Sequence, residues 1–377
     1  TTTVRLTAHL LRTSGLRVGM TNTDGVNVNG RVIDTGDCSG PRSARNVLSH
    51  PDVDAAVLET ARGGMLREGL GFDRCQVAVV TNIGMGDHLG LNYITTVEDL
   101  AVLKRVIVQN VATSGMAVLN ASDPIVVAMA PHCPGEVTFF AIDSHHPVLA
   151  THRAQGKRVV FVEDDEIVAM QGKMQMRFAL SNIPLTHSGS IDFQVENAMA
   201  SIAAAWASQV SWEHIAAGLA SFVSDHHAVP GRFNVFEYKG ATLIADYGHN
   251  PDAIKALIQA VSNMKAQRRM VVISGAGDRR DEDLREQTRL IGDAFDEVIL
   301  YQDACQRGRQ DGEVIALLRD GLKGAKLTRN VEEIRGEFSA IDRALERLSP
   351  GDLCLILIDQ VDEALAHIHQ RVTEAKA

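Results

Sequence analysis

Four short apolar runs recur at roughly regular intervals in the first third of the chain, and each ends in a polar residue or glycine: RVGMTNT, AAVLET, VAVVTNI and GMAVLNA. Strands that are buried on both faces of a parallel sheet are near-continuously apolar rather than alternating. The segments between them, such as TTVEDLAVLKRVIVQNVA, fit crossover helices. This order predicts an α/β fold with a mostly parallel sheet.

The α/β rhythm stops and restarts once, which predicts two domains. VTFFAI and the following RVVFVEDDEIVAMQGKMQMRFAL indicate antiparallel strands, and two helical segments come next, ENAMASIAAAWAS and SWEHIAAGLASF. SDHHAVPGRF contains Pro and Gly and is the predicted linker. NVFEYKGATLIADYG then predicts a hairpin, and MVVISGAG, EVILYQDA and LCLILID predict strands between helices. We expect two α/β domains, residues 1–225 and 226–377.

Composition and charge exclude several kinds of partner. The net charge of -10 argues against non-specific binding to nucleic acid or to an anionic membrane, and no apolar run is long enough to span a membrane. The five cysteines are scattered and form no CxxC pair, which predicts reduced thiols, no zinc site and a cytoplasmic protein. They are Cys38, Cys75, Cys133, Cys305 and Cys354.

Polar side chains follow two of the predicted strands. Glu59 ends the run AAVLET, and Asn82, Asp87 and His88 follow the run VAVVTNI. Ligands of open parallel sheets bind beyond the carboxyl ends of the strands. A carboxylate and an imidazole on neighbouring strand ends can share a divalent cation. A solvated Glu59 and a helix-capping His88 remain open as the alternative interpretation.

Other charged residues give weaker signals. Lys104 lies on a predicted helix that is apolar at positions 100, 102, 103, 106, 107 and 108, so we expect a largely buried stripe around it. An isolated lysine, however, usually extends its ammonium to solvent. Arg232 lies in PGRF at the predicted junction. Asp246 and His249 lie in ADYGHNPDA, just before a helix that Pro251 is suited to begin, where an acid can bind a ribose hydroxyl. The glycine-rich GAGDRRDED can hold an anion or an amino acid, or can be a charged surface loop.

In their order along the chain these segments resemble the Mur ligase superfamily, and the likeness covers essentially the whole chain. It is carried by ETARGG, NIGMGDHLG, the helical lysine sixteen residues after His88, LNASDP, PLTHSG, FQVENAMA, PGRF and DYGHNPDA. LETARGGML, DHLG, PLTH with FQVEN, and RGRQDGEV resemble the branch that acts on an aspartate polymer rather than the cell-wall ligases. The resemblance implies a central P-loop-type ATPase domain followed by a smaller Rossmann-like α/β domain that binds the amino acid.

The first residues, TTTVRLTAHLL, are a poor helix start, because β-branched side chains lose χ1 freedom there. Members of the superfamily carry a phosphate loop of the form GTNGKTTT, in which backbone amides and the lysine hold ATP and the next hydroxyl holds Mg²⁺. The resemblance implies that Thr1 is this ATP- and Mg²⁺-binding threonine. We therefore expect the sequence to begin just after the P-loop lysine, without the first strand and the ATP-grasp half, and to be inactive by itself.

The resemblance also implies a reaction and roles for individual residues. A substrate carboxylate attacks the γ-phosphate of ATP, and an amine then displaces phosphate from the acyl phosphate. Glu59 and His88 are implied to help bind Mg²⁺, and Lys104 to be carbamylated near a second metal. The remaining implied contacts are with the nucleotide, which both domains are expected to close around: Asn197, Arg232 at the phosphates and Asp246 at the ribose.

In the branch that this chain resembles, the α-amine of arginine is joined to the β-carboxylate of poly-aspartate. Carboxylates suit the arginine guanidinium, and the candidates are Asp278, Asp281 and Glu282, although a solvated loop fits equally well. The implied partners are arginine, the aspartate polymer, the ATP-grasp half of the same polypeptide and a second copy in a homo-oligomer. A catalytically silent scaffold, or a cell-wall, folylpolyglutamate or polyglutamate ligase, remains an alternative.

Overall fold

The computed structural model describes residues 1–84, 93–225, 228–302 and 307–376. Within these residues the chain forms two compact units, one of residues 1–84 and 93–223 and the other of residues 224–376. No helix among the described residues is long and apolar enough to cross a bilayer. Four of the five cysteines are described, and these four are free thiols: Cys38, Cys75, Cys133 and Cys354.

The first unit begins with a helix and a small mixed sheet. Its elements are α1 (Thr2–Thr13), β1 (Val18–Asn22), β2 (Gly25–Val28), β3 (Arg31–Thr35), α2 (Pro41–Leu48), β4 (Ala55–Leu58) and α3 (Arg62–Glu68). The strand order is β3-β2-β1-β4. β1 runs parallel to β4 and antiparallel to β2. The carboxyl ends of β1 and β4 therefore lie side by side.

A larger sheet completes the first unit. Its elements are β5 (Cys75–Val80), α4 (Val97–Gln109), β6 (Val111–Asn120), α5 (Pro124–Val127), β7 (Glu136–Asp143), α6 (Pro147–Ala154), β8 (Val159–Glu163), β9 (Glu166–Gln171), β10 (Met174–Ala179), α7 (Asp192–Ala207) and α8 (Trp212–Ser221). The order is β10-β9-β8-β7-β6-β5, parallel from β5 to β8 and antiparallel from β8 to β10. The expected antiparallel run therefore begins at β8, one strand later than predicted.

The four apolar runs that define the fold do not share one sheet. β1 and β4 belong to the small sheet, whereas β5 and β6 belong to the large one. Glu59 follows β4, so among the described residues its strand is not paired with β5, which precedes the other predicted ligands. The expectation of neighbouring strand ends is wrong at this point. An apolar run predicts a strand but not its partner, because pairing depends on contacts between residues that are distant in sequence.

Helix α7 explains how a nearly all-apolar, alanine-rich segment folds. It packs against α1 on one side and against strands β5 to β8 on the other. Every residue from Ala198 to Trp206 is buried. Small side chains allow this close approach on both sides, and a helix that is apolar all round requires it. This packing holds the first turn of α1 next to the polar residues of α7.

The second unit is a doubly covered sheet. Its elements are β11 (Asn234–Tyr238), β12 (Ala241–Asp246), α9 (Pro251–Ser262), β13 (Arg269–Ile273), α10 (Asp281–Gly292), β14 (Glu297–Gln302), α11 (Glu313–Gly321), β15 (Asn330–Arg335), α12 (Glu337–Arg347), β16 (Leu353–Leu357) and α13 (Val361–Glu374). The predicted hairpin is confirmed as β11 and β12, joined at Lys239 and Gly240, both with positive φ.

The last strand of the second unit sits in the middle of its sheet. The order is β11-β12-β16-β13-β14-β15, and all pairs except the hairpin are parallel. The chain advances from β12 to β15 and then returns to β16. Right-handed crossovers therefore place α12 on the opposite face from α9, α10 and α11. Such a reversal opens a crevice at the carboxyl ends of the strands, beside β16.

Candidate active site

The start of α1 lies against the carboxyl ends of β1 and β4. Thr1, the residue before α1, donates its hydroxyl to Oε2 of Glu59 at 2.9 Å. The hydroxyl of Thr23, in the turn after β1, lies 3.0 Å from the same Thr1 oxygen. The backbone N–H of Glu59 donates to the carbonyl of Thr21, which holds the main chain from which the carboxylate extends. A carboxylate and two hydroxyls thus meet at a helix N-terminus.

This cluster fits a hard divalent cation. All of its donors are oxygens, which Mg²⁺ prefers, and a helix N-terminus favours the phosphate groups that accompany such an ion. Among the described residues no three His, Cys, Asp or Glu side chains gather in one place. The cluster itself offers one carboxylate and two hydroxyls. His88, the other predicted metal ligand, lies outside the described residues.

Asn197 is brought to the first turn of α1. The hydroxyl of Thr3 donates to its side-chain oxygen at 2.7 Å, and its amide donates to the buried Gln194 at 3.0 Å. Ser201, one turn further along α7, donates to the backbone carbonyl of Thr3. Asn197 therefore lies beside the start of α1, close to Thr1, where a nucleotide contact was predicted. That contact stays a prediction.

Glu196 and Asp123 connect the segments that follow β5 and β6. Both residues lie within the quoted motifs, but neither was predicted to have a role. Glu196 accepts from the amide of Asn120, at the end of β6, at 3.3 Å, and its burial raises its pKa. Asp123 caps α5 and also accepts from the backbone of Ile83 at 2.7 Å. It thereby ties the segment after β5 to the end of β6. LNASDP and FQVENAMA carried this signal, because they place short polar side chains directly beside predicted strand and helix ends.

Lys104 lies in the middle of α4, which begins at a capping box formed by Thr96 and Asp99. The expectation of a largely buried apolar stripe around Lys104 is wrong. Only Leu100 and Val108 of this helix are buried, Val102 is 54% exposed, and Lys104 itself is half-buried. Apolar residues surround the helix, but only one face can pack on the sheet. The carbamate of Lys104 stays a prediction.

Asp246 and Arg232 belong to one pair of loops in the second unit. The buried carboxylate of Asp246 accepts from the backbone N–H of Phe233 at 2.8 Å and of Gly248 at 2.7 Å. Arg232 donates to the carbonyl of Gly231, and its guanidinium lies 5.3 Å from the ring centre of Tyr247. Burial raises the pKa of Asp246 to about 6, although Arg232 and the two amides favour the ionised form. Asp246 thus joins the loop before β11 to the loop after β12. Its predicted contact with a ribose hydroxyl would use the carboxylate lone pairs that these two bonds leave.

Replacing Asp246 by asparagine should destabilise the second unit by about 1–3 kcal/mol, because the new amide would face a backbone N–H that now donates to a carboxylate. The measurement is urea unfolding, with Asp320→Asn as the control, since Asp320 lies on α11 with a partly exposed carboxylate. An effect no larger than that of the control would contradict the joining role of Asp246.

The stability that Asp246 contributes should also depend on pH. A carboxyl whose folded pKa is raised contributes fully below the unfolded value, near 3.8, and loses that contribution as the pH rises through about 6. We expect the stability difference between the wild type and Asp246→Asn to be larger at pH 4 than at pH 7. The loss approaches about 3 kcal/mol for two pKa units.

The three carboxylates predicted to bind arginine are already paired with arginines of this chain. Asp278 lies 3.4 Å from Arg307, and in the first turn of α10 Asp281 lies 2.9 Å from Arg309 and Glu282 2.5 Å from Arg280. The structure separates them, because only Asp278 lies in the loop that leaves β13, whereas the other two are on the helix that follows.

Asp278 is linked through Arg307 to Asp359 and His249, and of these three residues only His249 was singled out from the sequence, without a role. His249, in the loop after β12, is nearly buried, and its Nε2 lies 3.5 Å from the carboxylate of Asp359, which follows β16. Arg307 also approaches Asp359, at 3.3 Å. The pKa of His249 is lowered to about 4, chiefly by burial and further by Arg279, Arg307 and Arg232, against the raising effect of the Tyr247 carbonyl. The imidazole is therefore neutral near pH 7.

Family models match both units. The Mur ligase middle domain matches residues 1–205, and the Mur ligase glutamate ligase domain matches residues 231–357. Cyanophycin synthetase of Crocosphaera subtropica is 38% identical over 98% of this chain and 42% of its own length. The UDP-N-acetylmuramoyl-L-alanyl-D-glutamate–2,6-diaminopimelate ligase of Chlorobaculum tepidum is 25% identical over 94% of this chain and 68% of its own length. The chain thus spans less than half the length of the cyanophycin synthetases that it matches.

Solved structures show the same fold. The bifunctional folylpolyglutamate synthase/dihydrofolate synthase of Yersinia pestis, complexed with AMPPNP and a Mn ion, superposes with a TM-score of 0.69 at 18% identity, covering 99% of this chain and 86% of its own. Escherichia coli FolC in complex with DHPP and ADP gives a TM-score of 0.70, also at 18% identity, over 100% of this chain and 86% of its own. With its middle and C-terminal domains both matched, this chain belongs to the Mur ligase family.

Proposed function

We propose that this chain is the part of an ATP-dependent ligase that adds arginine to the β-carboxylate of poly-aspartate. The observation that carries the proposal is the cluster of Thr1, Thr23 and Glu59 at the N-terminus of α1. It offers a carboxylate, hydroxyls and helix amides at one point, which is the set that a magnesium–nucleotide needs. The choice of substrates is supported by the 38% identity to a cyanophycin synthetase, over an alignment that covers 98% of this chain.

The reaction has to bring two anions together, a side-chain carboxylate and a triphosphate. Thr1, Thr23 and Glu59 would hold Mg²⁺, which would supply the charge neutralisation that this approach requires. Asn197, fixed by Thr3 and Gln194, is the proposed contact for the nucleotide beside them. The polymer carboxylate takes the γ-phosphoryl group of ATP, and ADP leaves. The arginine α-amine then attacks the acyl carbon, phosphate leaves, and the amine loses a proton.

The second unit is the proposed binding site of the amine substrate. Its sheet reverses direction at β16, and ligands of open α/β sheets bind at such a crevice. Three charged or polar side chains follow the strands that border it, namely His249, Asp278 and Asp359. Arg232 and Asp246 remain the proposed contacts of this unit with the phosphates and the ribose.

The test is the amino-acid dependence of ATP hydrolysis by the natural full-length protein. With a poly-aspartate primer, arginine should stimulate phosphate release, and one phosphate should appear per arginine incorporated. Reactions without primer, and with glutamate or an alanyl dipeptide in place of arginine, are the controls. Stimulation by glutamate or the dipeptide instead would replace the proposed substrate. No stimulation by any amino acid would favour a silent scaffold.

A further inference from the structure

Three strand ends meet at the crevice of the second unit, and each contributes one side chain. His249 follows β12, Asp278 follows β13 and Asp359 follows β16. In the sheet β16 lies between β12 and β13, so these loops are adjacent although the residues are up to 110 positions apart in the chain. The buried Glu337 anchors the loop after β16, because it accepts from the backbone N–H groups of Asp359 and Gln360.

A guanidinium already lies between two of these side chains. Arg307 donates one terminal nitrogen to Asp278 at 3.4 Å and the other to Asp359 at 3.3 Å. Charge-assisted bonds of this type are normally 2.7–2.9 Å long, so both contacts are loose. The guanidinium and Asp278 are each about one-third exposed, whereas Asp359 is only 16% exposed. Two carboxylates are thus spaced to bind one guanidinium, and Arg307, which also contacts the side chain of Tyr247, occupies that position through two long contacts.

The nearly buried imidazole of His249 favours the same kind of ligand. Its Nδ1 faces the carbonyl of Tyr247, which can only accept, so the proton is on Nδ1. Since the ring is neutral, Nε2 carries a lone pair, and it is directed at a carboxylate oxygen of Asp359 at 3.5 Å. Nε2 of His249 and the Asp359 oxygen are both acceptors, so they cannot bond to each other, but a ligand with N–H groups can donate to both. The loop cannot easily turn the ring away, because Gln287 also holds the His249 carbonyl at 2.7 Å.

We propose that Asp278, Asp359 and Nε2 of His249 form the subsite for the guanidinium of the amine substrate, which replaces Arg307 on binding. This inference rests on the function proposed above and assigns its specificity to named atoms. A guanidinium has five N–H donors in one plane and can serve two carboxylates and one imidazole nitrogen together. An ammonium presents a compact point charge without that planar fork. The carboxylates on the first turn of α10, Asp281 and Glu282, have no part in the subsite.

Asparagine at either position tests the assignment in the natural full-length protein. Asp278→Asn and Asp359→Asn should each raise the KM for arginine by about 10- to 100-fold, the effect of one lost charged hydrogen bond. The preference for arginine over citrulline, its uncharged isostere, should fall by a similar factor. The matched control is Asp320→Asn on α11, whose carboxylate pairs with Arg285 and Lys323 at the surface.

Stability separates a binding role from a structural one. The new amide of Asp359→Asn can donate to Nε2 of His249, so the thermal midpoint should equal or exceed that of the wild type while arginine use falls. A lower midpoint with an unchanged citrulline preference would make Asp359 structural and overturn the proposal. If the wild type shows arginine-dependent ATP hydrolysis and Asp278→Asn and Asp359→Asn both behave like the Asp320→Asn control, the subsite is refuted but the proposed function is not. Wild-type protein without arginine-dependent hydrolysis would refute the proposed function itself.

Removing the resident guanidinium tests the exchange. Arg307→Ala should lower the KM for arginine, or leave it unchanged, because a competitor for Asp278 and Asp359 is lost. A rise in KM as large as that of Asp359→Asn would show that Arg307 belongs to the binding pocket and does not give way to substrate.

Discussion

Glu59→Gln should reduce the rate of arginine addition by about 10²- to 10³-fold, the cost of removing one preorganised electrostatic group from an active site. The substitution keeps the shape of the side chain and one oxygen that can accept from the Thr1 hydroxyl, now 2.9 Å from the carboxylate. It removes the negative charge, and with it the only carboxylate of the cluster formed by Thr1, Thr23 and Glu59. The loss should therefore appear in kcat, and the variant should need more Mg²⁺ for half-maximal activity.

The matched control is Glu68→Gln, on α3 nine residues further along the chain. Glu68 is exposed and pairs with Arg45, so its loss should change neither the rate nor the Mg²⁺ requirement. Circular dichroism and thermal unfolding would establish that both variants are folded. A Glu59→Gln enzyme with wild-type kcat and an unchanged Mg²⁺ requirement would show that the carboxylate only caps the local fold.

Lys104→Ala should lower the rate of arginine addition by orders of magnitude if the side chain is carbamylated, and should leave the fold intact. A carbamate forms when the neutral amine takes up CO₂ and releases a proton, which converts a cation into a carboxylate-like group. Lys104 is half-buried in the middle of α4, so its removal leaves no large cavity. As a surface lysine alone, it would cost well under ~1 kcal/mol of stability and no activity.

Chemical rescue separates the two interpretations of Lys104. Formate, acetate or bicarbonate should partly restore the Lys104→Ala enzyme, because a small carboxylate can occupy the position of the lost carbamate. Removal of CO₂ should lower wild-type activity and leave the rescued variant unaffected. Lys173→Ala, in the exposed turn between β9 and β10, is the control. Normal turnover by Lys104→Ala would show that the lysine is not part of the chemistry.

Local patterns predicted most elements of the fold because each depends on residues close together in the chain. The apolar runs became β1, β4, β5 and β6, and the hairpin β11–β12 formed where Lys239 and Gly240 allow the turn. The same patterns did not predict that the first two of these strands and the last two belong to different sheets. Hydrogen-bond partners of a strand are chosen by packing at long range, which one sequence does not display.

Some residues of the candidate site could likewise be predicted from the sequence, and others could not. Thr1, Glu59 and Asn197 were predicted from the motifs of the family resemblance, and the structure places Thr1 and Glu59 in contact and Asn197 against Thr3. The stripe around Lys104 was misjudged, since apolar residues on all sides of a helix do not reveal which side is covered. The acids after β13 were found as a group, but their spacing along the chain did not separate Asp278 from Asp281 and Glu282.

The sequence by itself determined the α/β class, the two-part organisation, the family and the strand ends where chemistry is expected, because these follow from local periodicity and short motifs. Only the tertiary structure decided that both oxygens of Asp246 hold backbone amides and that Arg307 lies between Asp278 and Asp359. It also showed His249 facing Asp359 across 3.5 Å. The physical reason is the insertion of β16 between β12 and β13, since this long-range pairing alone brings the loops after the three strands together.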